Sequence, residues 1–356
     1  MRSNAAGAAL LVAAACFGSA RPALAFCRTS TCPLPPDFSP VGESCKPQDF
    51  AAECAALNPP AKDLPLWWRN TAVSYDVFED TTSQGQALAS KGLSFDVVNK
   101  VVDDAFAAWT ATTCVDLNSG QSLPVSIEAT NLGAVSCSKV QYNLDQGNQH
   151  AIILREVWPY DTPGANPSAI SANTLGLTTV TFDATTGEIF DADTEINASV
   201  PLTMTTPVPP GSFDLASIVT HEMGHFLGLA HSGTSSATMY ARYTPGSIMM
   251  RNLTDDDRAG LCQIAPPVSP GASGAVRSVD PSVSPGGTIQ AGPNDPTPRH
   301  GFSAQCAQPL KHGCAVAAAD GSQGPATLLA GVLGAVAVGG GWRRRRAARA
   351  GAAVSR

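Results

Sequence analysis

Charged residues are scarce in this 356-residue chain, and aromatic residues are scarcer still. Asp, Glu, Lys and Arg make up 14% of the sequence and Phe, Trp and Tyr 6%, against 44% hydrophobic residues. This composition excludes a charged coiled coil and a disordered acidic chain. The sequence also has no CxxC pair, the usual signature of a zinc ribbon. The length suffices for one catalytic domain with appendages.

The charges that are present are unevenly placed. The formal net charge is −7, but the two terminal segments described below are positive. Their arginines are Arg2, Arg21, Arg343, Arg344, Arg345, Arg346, Arg349 and Arg356. The body between them is therefore more acidic than the whole chain, and an acidic surface repels a nucleic-acid backbone. We predict that nucleic acid is not a partner.

Residues 1–25 have the pattern of an export signal. Arg2 precedes an apolar stretch at 8–17, and Ala-Leu-Ala at 23–25 is a small-x-small cleavage site. This order is typical of a secretory signal peptide, although a buried N-terminal helix is an alternative. Export would place the cysteines in an oxidising environment.

Residues 314–356 have the pattern of a sorting or membrane tail. Cys314 and a Gly/Pro-containing spacer precede an uncharged run at 326–342, and four arginines follow at 343–346. A basic cluster directly after an apolar run is a stop-transfer pattern, but this run is at the lower length limit for a membrane span. The segment resembles the MYXO-CTERM-like tail of bacterial surface proteins. That resemblance implies recognition at Cys314, transient membrane association and removal of the tail; a retained membrane anchor is the alternative.

Ten cysteines are present, of which Cys16 lies in the export signal and Cys314 in the tail. The other eight are Cys27, Cys32, Cys45, Cys54, Cys114, Cys137, Cys262 and Cys306. An even number in an exported chain predicts up to four disulfides, but eight cysteines allow many pairings, so the sequence assigns none.

Three segments lie between the two ends. Residues 26–65 are rich in Cys and Pro without apolar periodicity, which predicts an irregular N-terminal segment. Residues 66–265 have the periodicity of a folded domain. Residues 266–313 turn to Pro, Ser and Gly, which is typical of a stalk.

Strands and helices alternate in the predicted domain. Strands are predicted at 67–78, 124–129, 139–144, 150–157, 177–183 and 188–197, with the last two joined as a hairpin through 184–187. Helices are predicted at 94–111 behind Ser94, at 213–229 behind Ser212, and at 255–261. This order is an α+β pattern with one mixed, twisted sheet covered by helices.

The sequence His-Glu-Met-Gly-His-Phe-Leu-Gly-Leu-Ala-His at 221–231 carries the strongest chemical signal. Residues four apart share a helix face, so His221 and His225 can bind one cation. Glu222 is offset by one position and would lie beside the metal, where it can hydrogen-bond a metal-bound water. His231 could not reach that ion along an unbroken helix. Gly228 resolves this, because glycine tolerates a positive φ and lets the helix end.

Three histidines leave the fourth position of a tetrahedral zinc site open for water. Structural zinc sites usually close all four positions, with cysteine prominent. The pattern therefore favours a catalytic zinc ion. A structural zinc ion and a structural helix that happens to carry histidines are the alternatives.

The stretch 221–231 is identified as the metzincin zinc signature, H-E-x-x-H-x-x-G-x-x-H. Ser232 after the third histidine resembles the matrixin group of metzincins. Residues 105–109 and 253–261 resemble the first and last matrixin helices, so the resemblance covers about residues 66–265. It implies a zincin-like metzincin fold with an active-site helix, a methionine turn and a C-terminal helix.

The resemblance also implies roles for residues after the zinc signature. Met239 followed by Tyr240 is similar to the matrixin methionine turn, in which the methionine supports the metal ligands. Tyr243 matches the tyrosine that lines the substrate pocket, together with Tyr240, although Ala241 replaces the usual proline. The residues 247–249, which end in a methionine, are a rival methionine turn.

Two features depart from the animal matrixins. Only His150 remains for the upstream sheet, so their second zinc site, built from three histidines and an aspartate, is not expected. The thiol-containing latency motif is also lacking.

Five acidic residues surround the predicted hairpin: Asp183, Glu188, Asp191, Asp193 and Glu195. Oxygen-rich clusters suit Ca²⁺, and a solvated hairpin face is the alternative.

The combined prediction is a monomeric zinc-dependent endopeptidase, secreted or held at a bacterial cell surface, that acts on protein or peptide substrates. Zn²⁺ at His221, His225 and His231 would activate water, and Glu222 would act as the general base. A surface adhesion or binding module on a metzincin fold without catalysis is the alternative. A processing protease with a single surface substrate is a narrower one.

Overall fold

In the computed structural model, the described residues are 26–31, 64–116, 119–158, 173–267, 276–278, 288–290, 296–303, 305–306 and 350–355. The predicted export signal, most of the predicted N-terminal segment and the apolar run 326–342 lie outside these residues.

The described elements follow in chain order. They are β1 (Cys27–Arg28), β2 (Trp67–Trp68), β3 (Ala72–Phe78), α1 (Ser83–Ser90), α2 (Phe95–Thr110), β4 (Thr113–Val115), β5 (Ser122–Pro124), β6 (Glu128–Val135), β7 (Ala151–Arg155), β8 (Gly176–Asp183), β9 (Glu188–Asn197), β10 (Leu202–Thr203), β11 (Phe213–Asp214), α3 (Leu215–Phe226), β12 (Leu229–Ala230), a 3₁₀ turn (Met249–Arg251), α4 (Asp255–Ile264), β13 (Val276–Ser278), β14 (Thr288–Gln290) and β15 (Ala350–Ser355).

The central sheet has the strand order β15-β8-β9-β7-β3-β6, and β2 pairs with the start of β9. Strands β6, β3, β7 and β9 run parallel to one another, whereas β8 is antiparallel to β9 and β15 is antiparallel to β8. Together with the helices this arrangement confirms the predicted α+β class with a mixed sheet.

The predicted hairpin at 177–197 is confirmed. Strands β8 and β9 pair from Gly176 opposite Ile196 to Phe182 opposite Ile189. Gly187 ends the turn with φ 75°, a conformation that glycine adopts without a steric penalty. The turn therefore has a clear local cause.

Helices α2 and α3 pack against each other and against the sheet through aromatic side chains. Phe106 of α2 stacks on Tyr75 of β3 at 4.1 Å and contacts Phe226 of α3 edge-on at 5.0 Å. Trp109 Nε1 donates a 2.8 Å hydrogen bond to the Thr220 carbonyl oxygen. These buried contacts fix the position of α3, which carries the zinc signature.

Several predicted boundaries differ from the structure. Residues 139–144 form no strand, and the strand predicted at 124–129 is replaced by β5 and β6. Helix α1 was not predicted, because its eight residues have little amphipathic pattern. Helix α3 starts at Leu215 behind Asp214 rather than behind Ser212, and it ends at Phe226 rather than at 229, where strand β12 begins. Helix α4 extends to Ile264.

Two disulfides connect distant parts of the chain. Cys114 next to α2 is bonded to Cys262 on α4, and Cys137 is bonded to Cys306. Cys27 is disulfide-bonded as well. The second bridge lies at the end of residues 296–306, which belong to the segment predicted as a stalk.

The described part of that segment contacts the sheet. Asn148 and Phe302 form a β-bridge, and Asn148 Nδ2 donates a 2.8 Å hydrogen bond to the Arg299 carbonyl oxygen. The Arg299 guanidinium lies 3.9 Å from the Phe190 ring centroid and also pairs with Glu188 at 3.1 Å. No local sequence pattern predicts these contacts, because they join residues far apart in the chain.

Among the described helices, none combines the length and the apolar character that a membrane span requires.

Candidate metal centre

Three histidines converge at the end of α3. His221 and His225 lie one turn apart on the helix, and His231 follows β12. The ring centroids of these histidines are 4.8 to 5.3 Å apart. One ligand atom from each ring lies within 4.8 Å of the others. Within the described part of the chain, this is the one cluster of three or more His, Cys, Asp or Glu residues with that geometry.

The helix break predicted at Gly228 brings the third histidine back. Gly228 has φ 107°, and its N–H donates a 3.0 Å hydrogen bond to the His225 carbonyl oxygen. The following strand β12 then pairs antiparallel with β1, from Leu229 to Ala230. A residue with a Cβ would be strained at this φ, so glycine is required for the turn.

Hydrogen bonds to the backbone orient two of the rings. His221 Nδ1 lies 2.6 Å from the Thr238 carbonyl oxygen, and His225 Nδ1 lies 2.7 Å from the Leu229 carbonyl oxygen. A carbonyl oxygen only accepts, so each Nδ1 carries the proton and each Nε2 presents a lone pair. These bonds therefore aim both lone pairs at the same point.

The geometry of the lone pairs fits a cation. The Nε2 atoms of His221 and His225 are 3.1 Å apart, and two lone pairs at that distance repel each other unless a cation lies between them. The buried Nε2 of His231 has no hydrogen-bond partner. Burial lowers the pKa of all three histidines, most strongly for His225 and His231 because neighbouring rings also oppose a charge. Neutral imidazoles are the form of histidine that binds zinc.

Glu222 lies in the same turn of α3 and is 3% exposed. Its Oε2 accepts a 2.7 Å hydrogen bond from the Thr178 hydroxyl of β8. Burial raises the pKa of this carboxyl to about 8, against the opposing effect of the Thr178 bond. A Cβ at Gly176 would overlap the Glu222 carboxyl group, so the start of β8 passes directly beside it. The carboxylate therefore lies between the histidine cluster and β8.

Met239 lies beneath α3 and is 1% exposed. A Cβ at Gly224 would overlap the Met239 sulfur and would come within 2.7 Å of Trp109 Cζ2. Glycine at position 224 thus allows the close approach of the methionine to the helix. The rival methionine, Met249, is 57% exposed and begins the 3₁₀ turn.

Asp257 of α4 holds the Met239 turn in place. Its buried carboxylate accepts hydrogen bonds from the backbone N–H groups of Thr238 and Met239, both at 2.9 Å. The same carboxylate closes a capping box with Thr254. Because the Thr238 carbonyl oxygen bonds His221, α4 acts on a histidine of the cluster through this turn. The sequence indicated Asp257 only as an acidic residue in the first turn of a helix.

Tyr243 contacts the start of α3. Its hydroxyl accepts a 2.9 Å hydrogen bond from the Asp214 N–H and donates a 2.6 Å bond to the Ser247 carbonyl oxygen. Tyr240 lies directly after Met239, where it forms a β-bridge with Ser232. Both tyrosines therefore lie in the loop between His231 and α4, and Tyr243 contacts the N-terminal end of α3.

An ion pair between Asp214 and Arg251, which the sequence did not predict, fixes the N-terminus of α3. Asp214 accepts hydrogen bonds from the Ser217 N–H at 2.9 Å and from Arg251 Nε at 2.8 Å. Asp214 is fully buried, and the Arg251 side chain is 27% exposed. Asp214 is the N-cap of α3 in place of the predicted Ser212, and the packing of Arg251 onto it depends on the tertiary structure.

The acidic residues of the hairpin are mostly buried, so the alternative of a solvated face is wrong for β9. Asp191, Asp193 and Glu195 are each at most 2% exposed. Glu195 pairs with Arg155 at 2.6 Å, and Asp193 accepts from two backbone N–H groups. Burial and the neighbouring carboxylate raise the pKa of Asp191.

His150 is buried just before strand β7, and it is not one of the three clustered histidines. Its Nδ1 bonds the Ser74 carbonyl oxygen at 2.8 Å, and its Nε2 lies 3.8 Å from Asp191. Burial lowers the pKa of His150 to about 4, so the ring is neutral at pH 7.

Comparison with known proteins agrees with this geometry. Residues 155–265, which contain the histidine cluster, Glu222 and Met239, match the family described as Matrixin. The matched domain implies the metzincin fold, and the fold class predicted from the sequence is confirmed. In this region the chain is similar to matrixin-type metalloproteases.

Three relatives illustrate the similarity. Metalloendoproteinase 1 of Glycine max is 29% identical over 201 residues, which are 56% of this chain and 52% of that protein. Matrix metalloproteinase-20 of Homo sapiens is 27% identical over 197 residues, 55% of this chain and 32% of that protein. Neutrophil collagenase of Homo sapiens is 23% identical over 220 residues, 61% and 38% respectively. The chain thus spans about half the length of the soybean relative and less of the human ones.

Proposed function

We propose that this chain is a zinc-dependent endopeptidase in which His221, His225 and His231 hold the ion and Glu222 is the general base. The observation that carries the proposal is the convergence of three neutral, buried imidazoles beside a buried carboxylate. When bound, a zinc ion polarises the scissile carbonyl and lowers the pKa of water toward about 7.

The side chains of the site would divide the proton transfers and the positioning between them. A cation held by the three histidines would favour the ionised form of the Glu222 carboxyl group, which would then accept the proton of the attacking water and pass it to the leaving amine. The Thr178 hydroxyl, which bonds Glu222 Oε2, holds the carboxylate between the cluster and β8. Met239 contacts no substrate and supports the ligands from below. An extended substrate would pair with the edge of β8 by strand addition, with Tyr240 and Tyr243 contributing to a pocket for a side chain.

The substitution Glu222→Gln tests the proposal, because it keeps the shape of the side chain and removes the base. We expect casein cleavage to fall by about 10²–10⁴-fold while bound zinc stays at one ion per chain. Glu128→Gln, at an exposed position on β6, is the matched control and should leave the rate unchanged. Wild-type activity in Glu222→Gln would show that the general-base role is wrong.

The main competing function is a binding module without catalysis. A binding module would keep its binding activity after a chelator removes zinc. The endopeptidase would lose its cleavage activity and recover it on addition of Zn²⁺. A panel of unrelated protein substrates separates a general endopeptidase from a processing protease with one target.

We also propose that the protein is secreted or displayed at a bacterial cell surface. The disulfides Cys114–Cys262 and Cys137–Cys306 support an oxidising environment. The intact mass of the extracellular form tests this location: we expect a chain that starts after residue 25 and lacks the segment from Cys314 onward. Retention of residues 1–25 in that form would contradict export through the predicted signal.

A further inference from the structure

Two threonines of the sheet form a hydrogen-bonded chain with the Glu222 carboxyl group. Thr178 of β8 and Thr194 of β9 are opposite each other in the antiparallel ladder. Their hydroxyl oxygens are 3.0 Å apart, and Thr178 Oγ1 lies 2.7 Å from Glu222 Oε2. Both threonines are fully buried, and Glu222 is 3% exposed. The three side chains are therefore shielded from bulk water, which would otherwise compete for these bonds.

The number of hydrogens available to the two hydroxyl groups fixes the direction of the chain. A carboxylate only accepts hydrogen bonds, and a threonine hydroxyl has one hydrogen to donate. The Thr178 hydrogen therefore goes to Glu222 Oε2, and the Thr194 hydroxyl must donate to Thr178 Oγ1. A hydroxyl that accepts one hydrogen bond donates the next one more strongly, because bonds in a chain polarise one another.

We infer that Thr194 is a positioning residue for Glu222 and acts through the Thr178 hydroxyl. The inference deepens the proposed endopeptidase function and rests on it. Thr178 Oγ1 has a second acceptor within reach, since it also lies 3.4 Å from the Glu222 carbonyl oxygen. When Thr194 donates to Thr178, it ceases to be an acceptor for the Thr178 hydrogen and directs that hydrogen toward Oε2.

The other side of the Glu222 carboxyl group is bounded by the backbone of β8. A Cβ at Gly176 would overlap Glu222 Oε1, so the strand lies directly against this oxygen. The carboxyl group thus has β8 backbone beside Oε1 and the Thr178 hydroxyl at Oε2. A general base must lie about 2.6–3.2 Å from the proton that it takes, and a displacement of about 1 Å can cost 10²-fold in rate. A small loss of order at Glu222 is therefore measurable in the rate.

The test compares Thr194→Val with Thr194→Ser in the full chain, each loaded with one zinc ion. Valine keeps the shape of threonine and lacks the hydroxyl group, whereas serine keeps the hydroxyl group and lacks a methyl group. We expect Thr194→Val to lower kcat for a fluorogenic peptide by about three- to tenfold with KM unchanged. Thr194→Ser should keep kcat within about twofold of the wild type, although it should unfold at a lower urea concentration because of the lost methyl group.

The order of the two variants separates positioning from a structural role. If Thr194 only fills space, valine packs better than serine, and Thr194→Val would be the more active variant. That order, or an unchanged kcat in Thr194→Val, would overturn the inference. Thr130→Val is the matched control, because it makes the same change on β6, at the opposite edge of the sheet, and should leave kcat unchanged.

A double variant tests whether Thr194 acts through Thr178. Thr178→Val should lower kcat at least as much as Thr194→Val, because it removes the bond to Glu222 itself. Adding Thr194→Val to Thr178→Val should then have no further effect on kcat, since the intermediate hydroxyl group is already lost. Additive losses in the double variant would contradict this route.

Crystal structures of the zinc-loaded variants provide a readout that needs no catalysis. In Thr194→Val we expect the distance from Thr178 Oγ1 to Glu222 Oε2 to exceed about 3.5 Å, or the carboxyl group to adopt two orientations. If this happens but no loaded chain cleaves any substrate, Thr194 positions Glu222 as inferred and the endopeptidase function is wrong. If the wild type cleaves and Thr194→Val matches it in rate and in carboxyl position, the endopeptidase function stands and the positioning role is wrong.

Discussion

Two imidazoles of the cluster are oriented by backbone carbonyl groups, of which one, Thr238, lies outside the zinc signature. The Thr238 and Leu229 carbonyl oxygens fix the Nδ1 atoms of His221 and His225, and so decide where the Nε2 lone pairs point. Such outer partners also raise the basicity of the ligand nitrogen. A substitution that moves either carbonyl group would weaken metal binding without touching a ligand.

The buried carboxyl group of Asp76 should make the free energy of unfolding depend on pH. Asp76 is 2% exposed, and burial raises its pKa to about 7. The folded chain therefore binds this proton more tightly than the unfolded chain, whose carboxyl pKa is near 3.9. This contribution to stability is complete below the unfolded pKa and is lost as the pH rises through about 7. Burial lowers the pKa of His150 to about 4, so the contribution of His150 to stability is instead lost as the pH falls.

We predict that Asp76→Asn removes this pH dependence. Between pH 5 and pH 8 the wild type should lose about 2–3 kcal/mol more unfolding free energy than the variant. Urea unfolding of both proteins, with disulfides intact and the same zinc content, measures the difference, and the contribution of His150 cancels in it. Parallel pH profiles of the two proteins would show that Asp76 keeps an ordinary pKa in the folded state.

At the scale of elements, the position of α3 controls the site. The helix is fixed at its start by Asp214 and Arg251, along its length by Trp109, and at its end by the Gly228 turn. The Met239 turn lies beneath it and is held by Asp257 of α4. Local sequence predicted the helix and the glycine that breaks it, but it predicted the cap at Ser212, whereas the cap is Asp214, which the fold buries against Arg251.

The observed cap of α3, Asp214, and the cap predicted from the sequence, Ser212, should therefore differ sharply in their contribution to stability. We predict that Asp214→Ala lowers the unfolding free energy by about 1–3 kcal/mol, because it removes the bond to the Ser217 N–H and leaves Arg251 without its partner. Ser212→Ala, the cap predicted from the sequence, should change it by less than about 0.5 kcal/mol. Thermal unfolding followed by circular dichroism compares the two variants, and equal losses would contradict the assignment.

At the scale of the whole molecule, a bound ion would join parts of the chain that meet only through the fold. His221 and His225 belong to α3, whereas His231 lies beyond β12. A ligand that binds the folded chain alone stabilises it by about 4 kcal/mol at a thousandfold excess over its Kd. The metal would thus add a crosslink to those made by the disulfides Cys114–Cys262 and Cys137–Cys306.

We predict that a chelator lowers the melting temperature and that added Zn²⁺ restores it. In His231→Ala the chelator should have little effect, because two histidines bind zinc far more weakly than three. His300→Ala, at an exposed position, should respond to the chelator as the wild type does. Differential scanning calorimetry with and without chelator provides the measurement. An unchanged melting temperature in the wild type would mean that no zinc ion stabilises the fold.

The sequence by itself determined the three histidines of the cluster, the helix that carries two of them and the glycine that ends this helix. It also determined the hairpin β8–β9, because residue spacing and glycine conformation are local properties of the chain. The tertiary structure alone decided that Asp257 holds the Met239 turn, that Arg251 pairs with Asp214 and that residues 296–306 return to the sheet. These contacts join residues far apart in the chain, and their partners are chosen by burial and geometry rather than by any pattern in the neighbouring sequence.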